Sequence, residues 1–327
     1  MSTTQTNASG TVIFVDTAAY LSLKPKYIKD RLSIGLTDHS YKPRVDDLES
    51  DWVAHVSAPA FKIFRQRRGG GKVESFCSVG TGSGLDVLSA AEVLGVERVG
   101  LTDVHLDVVD VAAKNIARNL QPGYKLAIEA GFGDLLEPLR KFGSRYTVIY
   151  ENLPNVPLAD PQGLAVERTS STYVPPRAEA LPELVKRQML DLHYLALLQA
   201  RDFLAPGGAL LSCMGARVPL SVYLSLGELA GYRSSFLTYS WKVQGDPEEV
   251  IRDHAGNQKK GFGPFYFYRA DVLKKVFASV DLAESGQRAL EIEAELLPHR
   301  LDSETAYEAF RGGEKIGHTV AMLQSEL

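Results

Sequence analysis

The chain has 327 residues, 45% hydrophobic and 23% charged, which suits a globular protein with a substantial core and excludes a disordered or fibrous one. Its net charge of −4 gives no global positive field to favour a nucleic acid or an anionic membrane, and no apolar run reaches the ~20 residues of a membrane span. The opening MSTTQTNASG lacks the basic and apolar blocks of a secretory leader, and the two cysteines, Cys77 and Cys213, lie in strand-like apolar runs, so the expected location is the cytoplasm.

From Val12 to Arg68 the sequence is mixed and rich in aromatic residues. Leu48, Trp52, Val56 and Ala60 recur every fourth position, which predicts a helix over 46–66. Residues 1–70 therefore read as a helical N-terminal extension, available to cap a substrate site, and the basic run Arg65–Arg68 as a solvated loop before GGGK. From 71 to 327 the rhythm changes. VESFCSVG, RVGLTDV, KLAIEAG and RYTVIYENL read as strands separated by helical patterns. Residues 158–180, rich in Pro and Ser, interrupt the alternation as a lid-like insertion. A long amphipathic helix from Leu181 then stops at Pro206-Gly207-Gly208. ALLSCMG, RSSFLTYSWKVQ and GFGPFYFYRAD complete a set of seven strands. Alternating β and α units of this length predict an α/β, Rossmann-like architecture, a mostly parallel sheet covered by helices on both faces.

The loop SVGTGSG falls where the first of these strands turns into the first helix. Gly80, Gly82 and Gly84 form G-x-G-x-G, an imperfect match to the dinucleotide fingerprint G-x-G-x-x-G, and no Lys-Ser or Lys-Thr follows to make a P-loop. Glycines there let a backbone approach a ligand, although a tight strand-to-helix turn also needs them. The next strand ends on Asp103, where a carboxylate can accept two ribose hydroxyls or cap the following helix.

The motifs VGTGSG, GLTDV and IYENLPNVP, in this order and spacing, resemble the class I S-adenosylmethionine-dependent methyltransferases across residues 70 to 270. The resemblance implies that Val79, Gly80, Thr81, Gly82 and Gly84 cradle S-adenosylmethionine. It places Asp103 and Val104 at the ribose, Gly133 and Asp134 beside adenine, and Asn152 near the methyl donor. The family commonly carries an acid two places before the first glycine; here that position is Ser78.

ENLPN resembles the N-P-P-Y motif of methyltransferases that modify planar nitrogens. Asn152 and Pro154 match, Leu153 replaces a proline and Asn155 the aromatic residue. In that motif the first side-chain oxygen and the next backbone carbonyl accept the substrate's N–H groups, and proline stiffens the loop, so Glu151, Asn152, Leu153 and Pro154 become the candidate catalytic set. Loss of the aromatic residue disfavours a flipped base. Glu151 can pair with a guanidinium and take its proton, or pair with a structural Lys or Arg. Arg217, just beyond the strand ALLSCMG, suits a small carboxylate or a solvated loop. Asn155 and Tyr173 complete the candidate substrate contacts, with Glu167 and Arg168 as weaker ones. The histidines show no metal-ligand spacing, so no metal is expected.

The expected activity is methyl transfer from S-adenosylmethionine to a nitrogen of a small, amino-acid-like substrate, with free arginine the first acceptor to test and no nucleic-acid or membrane partner. GARVP and GFGPFYFY resemble plant methionine S-methyltransferases and bacterial enzymes that methylate arginine. Alternatives are a protein-glutamine or ribosomal methyltransferase, S-methylation of a methionine-like thioether, a methyltransferase-like binding module and a nicotinamide-dependent dehydrogenase.

Overall fold

Residues 5–36 carry a small antiparallel sheet, β1 (Gln5–Asn7), β2 (Gly10–Asp16) and β3 (Arg31–Leu36), where a helical extension is expected from the sequence. The reason is the burial period. Ile13 and Val15, then Leu32, Ile34 and Leu36, point inward at every second position, which a strand can satisfy and a helix cannot. The computed structural model describes residues 5–7, 10–157, 173–174 and 176–327. Between β2 and β3 lies α1 (Thr17–Leu21), capped by Asp16, whose carboxylate accepts from the Ala19 N–H at 2.9 Å. The helix expected over 46–66 exists from Val53, as a wide turn continuing into α2 (Ala58–Arg67).

The main sheet begins with β4 (Ser75–Val79), β5 (Arg98–Asp103), β6 (Ala127–Phe132) and β7 (Tyr146–Glu151). A two-stranded parallel pair, β8 (Val156–Pro157) and β9 (Tyr173–Val174), stands apart from it. Next come β10 (Leu204–Ala216), β11 (Arg233–Val243), β12 (Tyr266–Arg269), β13 (Leu301–Asp302) and β14 (Ile316–Glu326). Strands β6, β5, β4, β7 and β10 pair in that order and run parallel; β14 follows antiparallel, with β11 and β12 paired antiparallel to it and β13 to β12. The chain leaves β4 towards β5 on one side and returns to β7 on the other. A doubly wound sheet places its ligand at that reversal, beyond the carboxyl ends of the strands.

The sheet is thus Rossmann-like, with nine strands among the described residues against the seven expected. One addition, β14, is buried along nearly its whole length, so its sequence shows no polar alternation to betray a strand. Helices α3 (Leu85–Leu94) and α4 (Leu106–Asn119), with α2, cover one face. The other lies under α5 (Glu183–Arg187), α6 (Asp191–Phe203) and α7 (Leu220–Leu229). The single helix expected from Leu181 breaks between α5 and α6, where Met189 takes a φ of +54°. A further helix, α8 (Pro247–Lys259), follows β11. No described helix is long and apolar enough to cross a membrane.

The N-terminal extension shares its core with the main sheet. Buried Glu92 of α3 accepts the backbone N–H groups of Lys26, Tyr27 and Ile28 at 2.7–3.0 Å. Asn115 and Asn119 of α4 bond β3 through both the N–H and C=O of Gly35 and Ser33 respectively. A buried charge held by three backbone donors is rigid, because breaking any of them leaves a costly unpaired group. These bonds anchor residues 26–35 of the extension to the C-terminal halves of α3 and α4.

Candidate functional site

A cavity of about 410 Å³ opens at the carboxyl ends of β4, β5, β7 and β10. The extension supplies one wall through Tyr20, His39, Tyr41, Asp51 and Trp52.

In the half near β4, the glycine loop takes backbone shapes that other residues resist, with φ of +71° at Gly80, +50° at Gly82 and +80° at Gly84. A side chain at Gly80 would press on Leu153 at 3.1 Å and one at Gly84 on the Ala112 carbonyl at 3.3 Å, whereas Gly82 faces open space. Gly84 and Ala112 let α3 and α4 pack closely; Gly82 leaves room for a ligand. Val79, Thr81 and Val104 line the same half, and the buried Thr81 Oγ1 has no partner among the described residues.

Asp103 ends β5 and faces this space. It accepts from the His105 N–H at 3.2 Å and, weakly, from the Gly82 N–H at 3.4 Å, which leaves lone pairs for a ligand. Burial raises its pKa from the ordinary aspartate value, against the backbone N–H bonds that lower it. Gly133 lines the cavity too, its N–H bonded to the Asp103 carbonyl at 2.9 Å. Asp134, expected to face adenine, receives a bidentate pair from Arg177 at 2.7 and 3.1 Å, and both line the cavity. Asp134 thus anchors the chain beyond residue 175 as well as facing the cavity.

An acid stands beside Ser78 in the fold. Ser78 Oγ donates a short hydrogen bond to Asp86, in the first turn of α3, and Asp86 lines the cavity. Its carboxyl is pushed up to about 7, chiefly by burial and against the bonds from Ser78 and the Val87 N–H, with the Asp103 charge adding to the rise. A buried acid with a raised pKa costs nothing below its unfolded pKa and its full penalty above the folded one. Stability of the ligand-free protein should therefore fall from about pH 4 to pH 7 through this group. Asp86→Asn is expected to flatten that limb and raise the melting temperature at pH 8; a parallel profile for variant and wild type would refute the assignment.

At the end of β7 the structure separates the candidate residues. Asn152, Leu153, Pro154 and Asn155 line the cavity, and Asn155 is fixed by donating to the Met189 carbonyl at 2.9 Å. Glu151 does not line it, a correction to the expected substrate and catalytic contact. Its carboxylate is fully buried and bonded to His193 Nδ1 of α6 at 2.8 and 2.9 Å, and it accepts the Leu153 N–H at 3.2 Å. Strand parity explains this. Val148 and Tyr150 pack in the cluster under α2 and α3, while Ile149 packs in the cluster under α6, and Glu151 shares the parity of Ile149. Its partner is neither Lys nor Arg but a histidine. The bond to Leu153 still matters, because it helps hold the loop that follows.

The far half is basic. Arg217, just past β10, is buried, and its guanidinium occupies space left by the missing side chain of Gly215. It donates to Gln244 Oε1 at 2.7 Å and lies 5.5 Å from the Phe267 ring. Burial pushes its pKa down to about 10. Lys242 of β11 is also buried, with Nζ donating to the Val243 carbonyl at 3.1 Å and sitting 4.7 Å over Trp52. Burial, helped by Arg217, pushes it down to about 7.

At the rim, His39, His105 and Asp107 offer ligand atoms within 4.8 Å of one another, a grouping that residue spacing does not reveal. The two imidazoles stack at 4.2 Å and 7°, and His39 bonds Asp107 at 3.0 Å. Ring nitrogens hold their lone pairs in the ring plane, so stacked rings present them in two separate planes, and one ion could not take both without a ring turning. The side chain of Tyr173, Glu167, Arg168 and most of the 158–180 insertion lie outside the described residues.

Among the residues lining the cavity, Asp86 and Lys242 carry no signal in the sequence. Asp86 lies eight residues beyond Ser78, and a lysine inside a strand reads as an exposed alternation. Only the aromatic character of the extension hinted at Trp52.

No family model and no curated protein matches the chain. Several solved structures are similar to it in shape. One is a methyltransferase from Pyrococcus furiosus, 15% identical over 63% of this chain and 82% of that one, with a TM-score of 0.37. The YcgJ protein from Bacillus subtilis is 11% identical over 83% and 97%, at 0.43. A candidate methyltransferase complexed with SAH is 9% identical over 98% of this chain and 57% of its own, at 0.45. The fold class rests on the strand order given above.

Proposed function

We propose that the protein transfers a methyl group from S-adenosylmethionine to a nitrogen of a small carboxylate-bearing acceptor. The observation that carries this reading is a single cavity shared by the Gly80–Gly84 loop, the partly unsatisfied Asp103 carboxylate and the Asn152–Pro154 segment. The residues fit the cofactor. Asp103 has lone pairs for a ribose diol, Gly82 leaves space beside the loop, and Asp86 offers a carboxylate to an ammonium group. When bound, S-adenosylmethionine supplies an electrophilic methyl group on a sulfonium. Asn152 Oδ1 and the Leu153 carbonyl then accept the acceptor's N–H groups and direct its lone pair, on a loop already stiffened by Pro154 and the Glu151 bond. The enclosed walls exclude water, and Arg217 takes the carboxylate at the other end.

Free arginine, the first acceptor suggested by the sequence, loses its expected guanidinium partner, because Glu151 is committed to His193. Incubation with labelled S-adenosylmethionine and a panel of nitrogen-bearing carboxylic acids, arginine among them, tests the reading. Label should pass to at least one small acid, and Glu151→Gln should keep transfer within a few-fold while lowering the melting temperature. Absence of cofactor binding would sink the proposal, and loss of transfer in a fully stable Glu151→Gln protein would restore Glu151 as a substrate contact.

A further inference from the structure

Arg217 and Lys242 are placed together by the sheet. Lys242 of β11 pairs with His318 of β14, and His318 lies one rung beyond Thr319, the partner of Ala216. The two cations therefore flank His318 on the strands either side of β14, roughly 10 Å apart at the backbone by strand spacing. Both are buried and both line the cavity. Buried cations ordinarily sit on carboxylates. Here the carboxylates nearby are committed. Asp51 accepts from the Tyr20 hydroxyl and the N–H groups of Arg44, Val53 and Ala54 at 2.7–2.9 Å. Asp246 pairs with Arg44 at 2.6 Å, and Gln244 Oε1 is taken by Arg217.

The remaining titratable neighbours do not offset the charge. His254 and His318 bond backbone carbonyls through Nδ1 at 2.8 Å, and burial beside the cations lowers both pKa values, so they stay neutral. Cys213 is a buried thiol pushed up to about 12. Arg217 Nε has no partner among the described residues, and Lys242 Nζ has a single backbone carbonyl. This end is therefore a surplus of donors, with Arg217 charged and Lys242, pushed down to about 7, held charged once an anion sits beside it. A carboxylate matches it; an ammonium on the adjacent carbon would be thrust against two cations with no anionic acceptor shown free for it among the described residues.

We propose that Arg217 and Lys242 together bind an acceptor end carrying two anionic groups, a dicarboxylate, and not the carboxylate–ammonium pair of a free amino acid. The inference rests on the far half of the cavity being the acceptor's, as in the function proposed above.

Calorimetry on the full chain saturated with S-adenosylhomocysteine provides the test, using three acids that differ only at carbon 2: pentanoate, norvaline and propylmalonate. Propylmalonate should bind at least about tenfold more tightly than pentanoate, since a second charged hydrogen-bonded contact is added, and norvaline more weakly than either. Lys242→Met should bring propylmalonate within threefold of pentanoate, and Lys242→Arg should keep the preference. Norvaline binding as tightly as propylmalonate, a preference that survives Lys242→Met, or no binding by any of the three acids would overturn the proposal. Should Lys242→Met fail to fold, the wild-type ranking alone decides. Saturation by S-adenosylhomocysteine is measured first, so failure of the cofactor reading is seen separately.

Discussion

Asp103→Ala should raise the dissociation constant for S-adenosylmethionine by roughly a hundredfold. Each hydrogen bond from a ribose hydroxyl to a buried carboxylate contributes about 1.5–3 kcal/mol, and about 1.4 kcal/mol is a factor of ten. Discounting for the water that fills the vacated space leaves about two decades. The carboxylate is well prepared for this task, since its protein donors are two backbone N–H groups at 3.2 and 3.4 Å. Asp103→Asn keeps one acceptor oxygen in the same place and should fall between the two. Because burial raises the Asp103 pKa and the ionised form accepts more strongly, wild-type affinity should weaken on the acid side more steeply than that of the Asn variant, which keeps only the titration of Asp86. Titration calorimetry reads all three. A dissociation constant for Asp103→Ala within threefold of wild type would remove Asp103 from the cofactor site.

Arg217→Met should raise the KM for the acceptor by about a hundredfold while making the protein more heat-stable. These opposite signs follow from one cause. The guanidinium is buried with no carboxylate partner among the described residues, so the folded protein bears the desolvation of a charge that its ligand is meant to neutralise. Its pKa, pushed down to about 10, shows the direction: below that pH the cation is present and the cost is in force, so the cost applies at neutral pH. Methionine fills similar space without charge. Steady-state kinetics and thermal melts distinguish this from a packing role, in which the variant would melt lower and keep its KM. Such a trade of stability for function marks a binding site.

The two halves of the site differ in how far they could be read from the sequence. SVGTGSG, Asp103 and Asn152–Pro154 are local signals, each tied to the end of one strand, and doubly wound strands bring such ends to one edge. Reading them needs strand boundaries alone, so these residues line one cavity as their spacing implied. Glu151 shows where that approach stops. A shift of one position decides between the open edge and the face under α6, and the histidine that claims it comes 42 residues later. The extension misled for a related reason: its four-residue recurrence meets the helix only at Val56 and Ala60, while two-residue alternation in β2 and β3 governs the start.

The sequence by itself determined the Rossmann-like alternation, the glycine turn, the acid that ends β5 and the stiff loop after β7, because each depends on backbone preferences and side chains within a few residues. The tertiary structure alone decided which charges meet. It paired Ser78 with Asp86, turned Glu151 to His193, laid Trp52 over Lys242 and set Lys242 and Arg217 on either side of β14. Electrostatic and desolvation energies depend on distance and burial, and those are fixed by how strands far apart in the chain come to lie side by side.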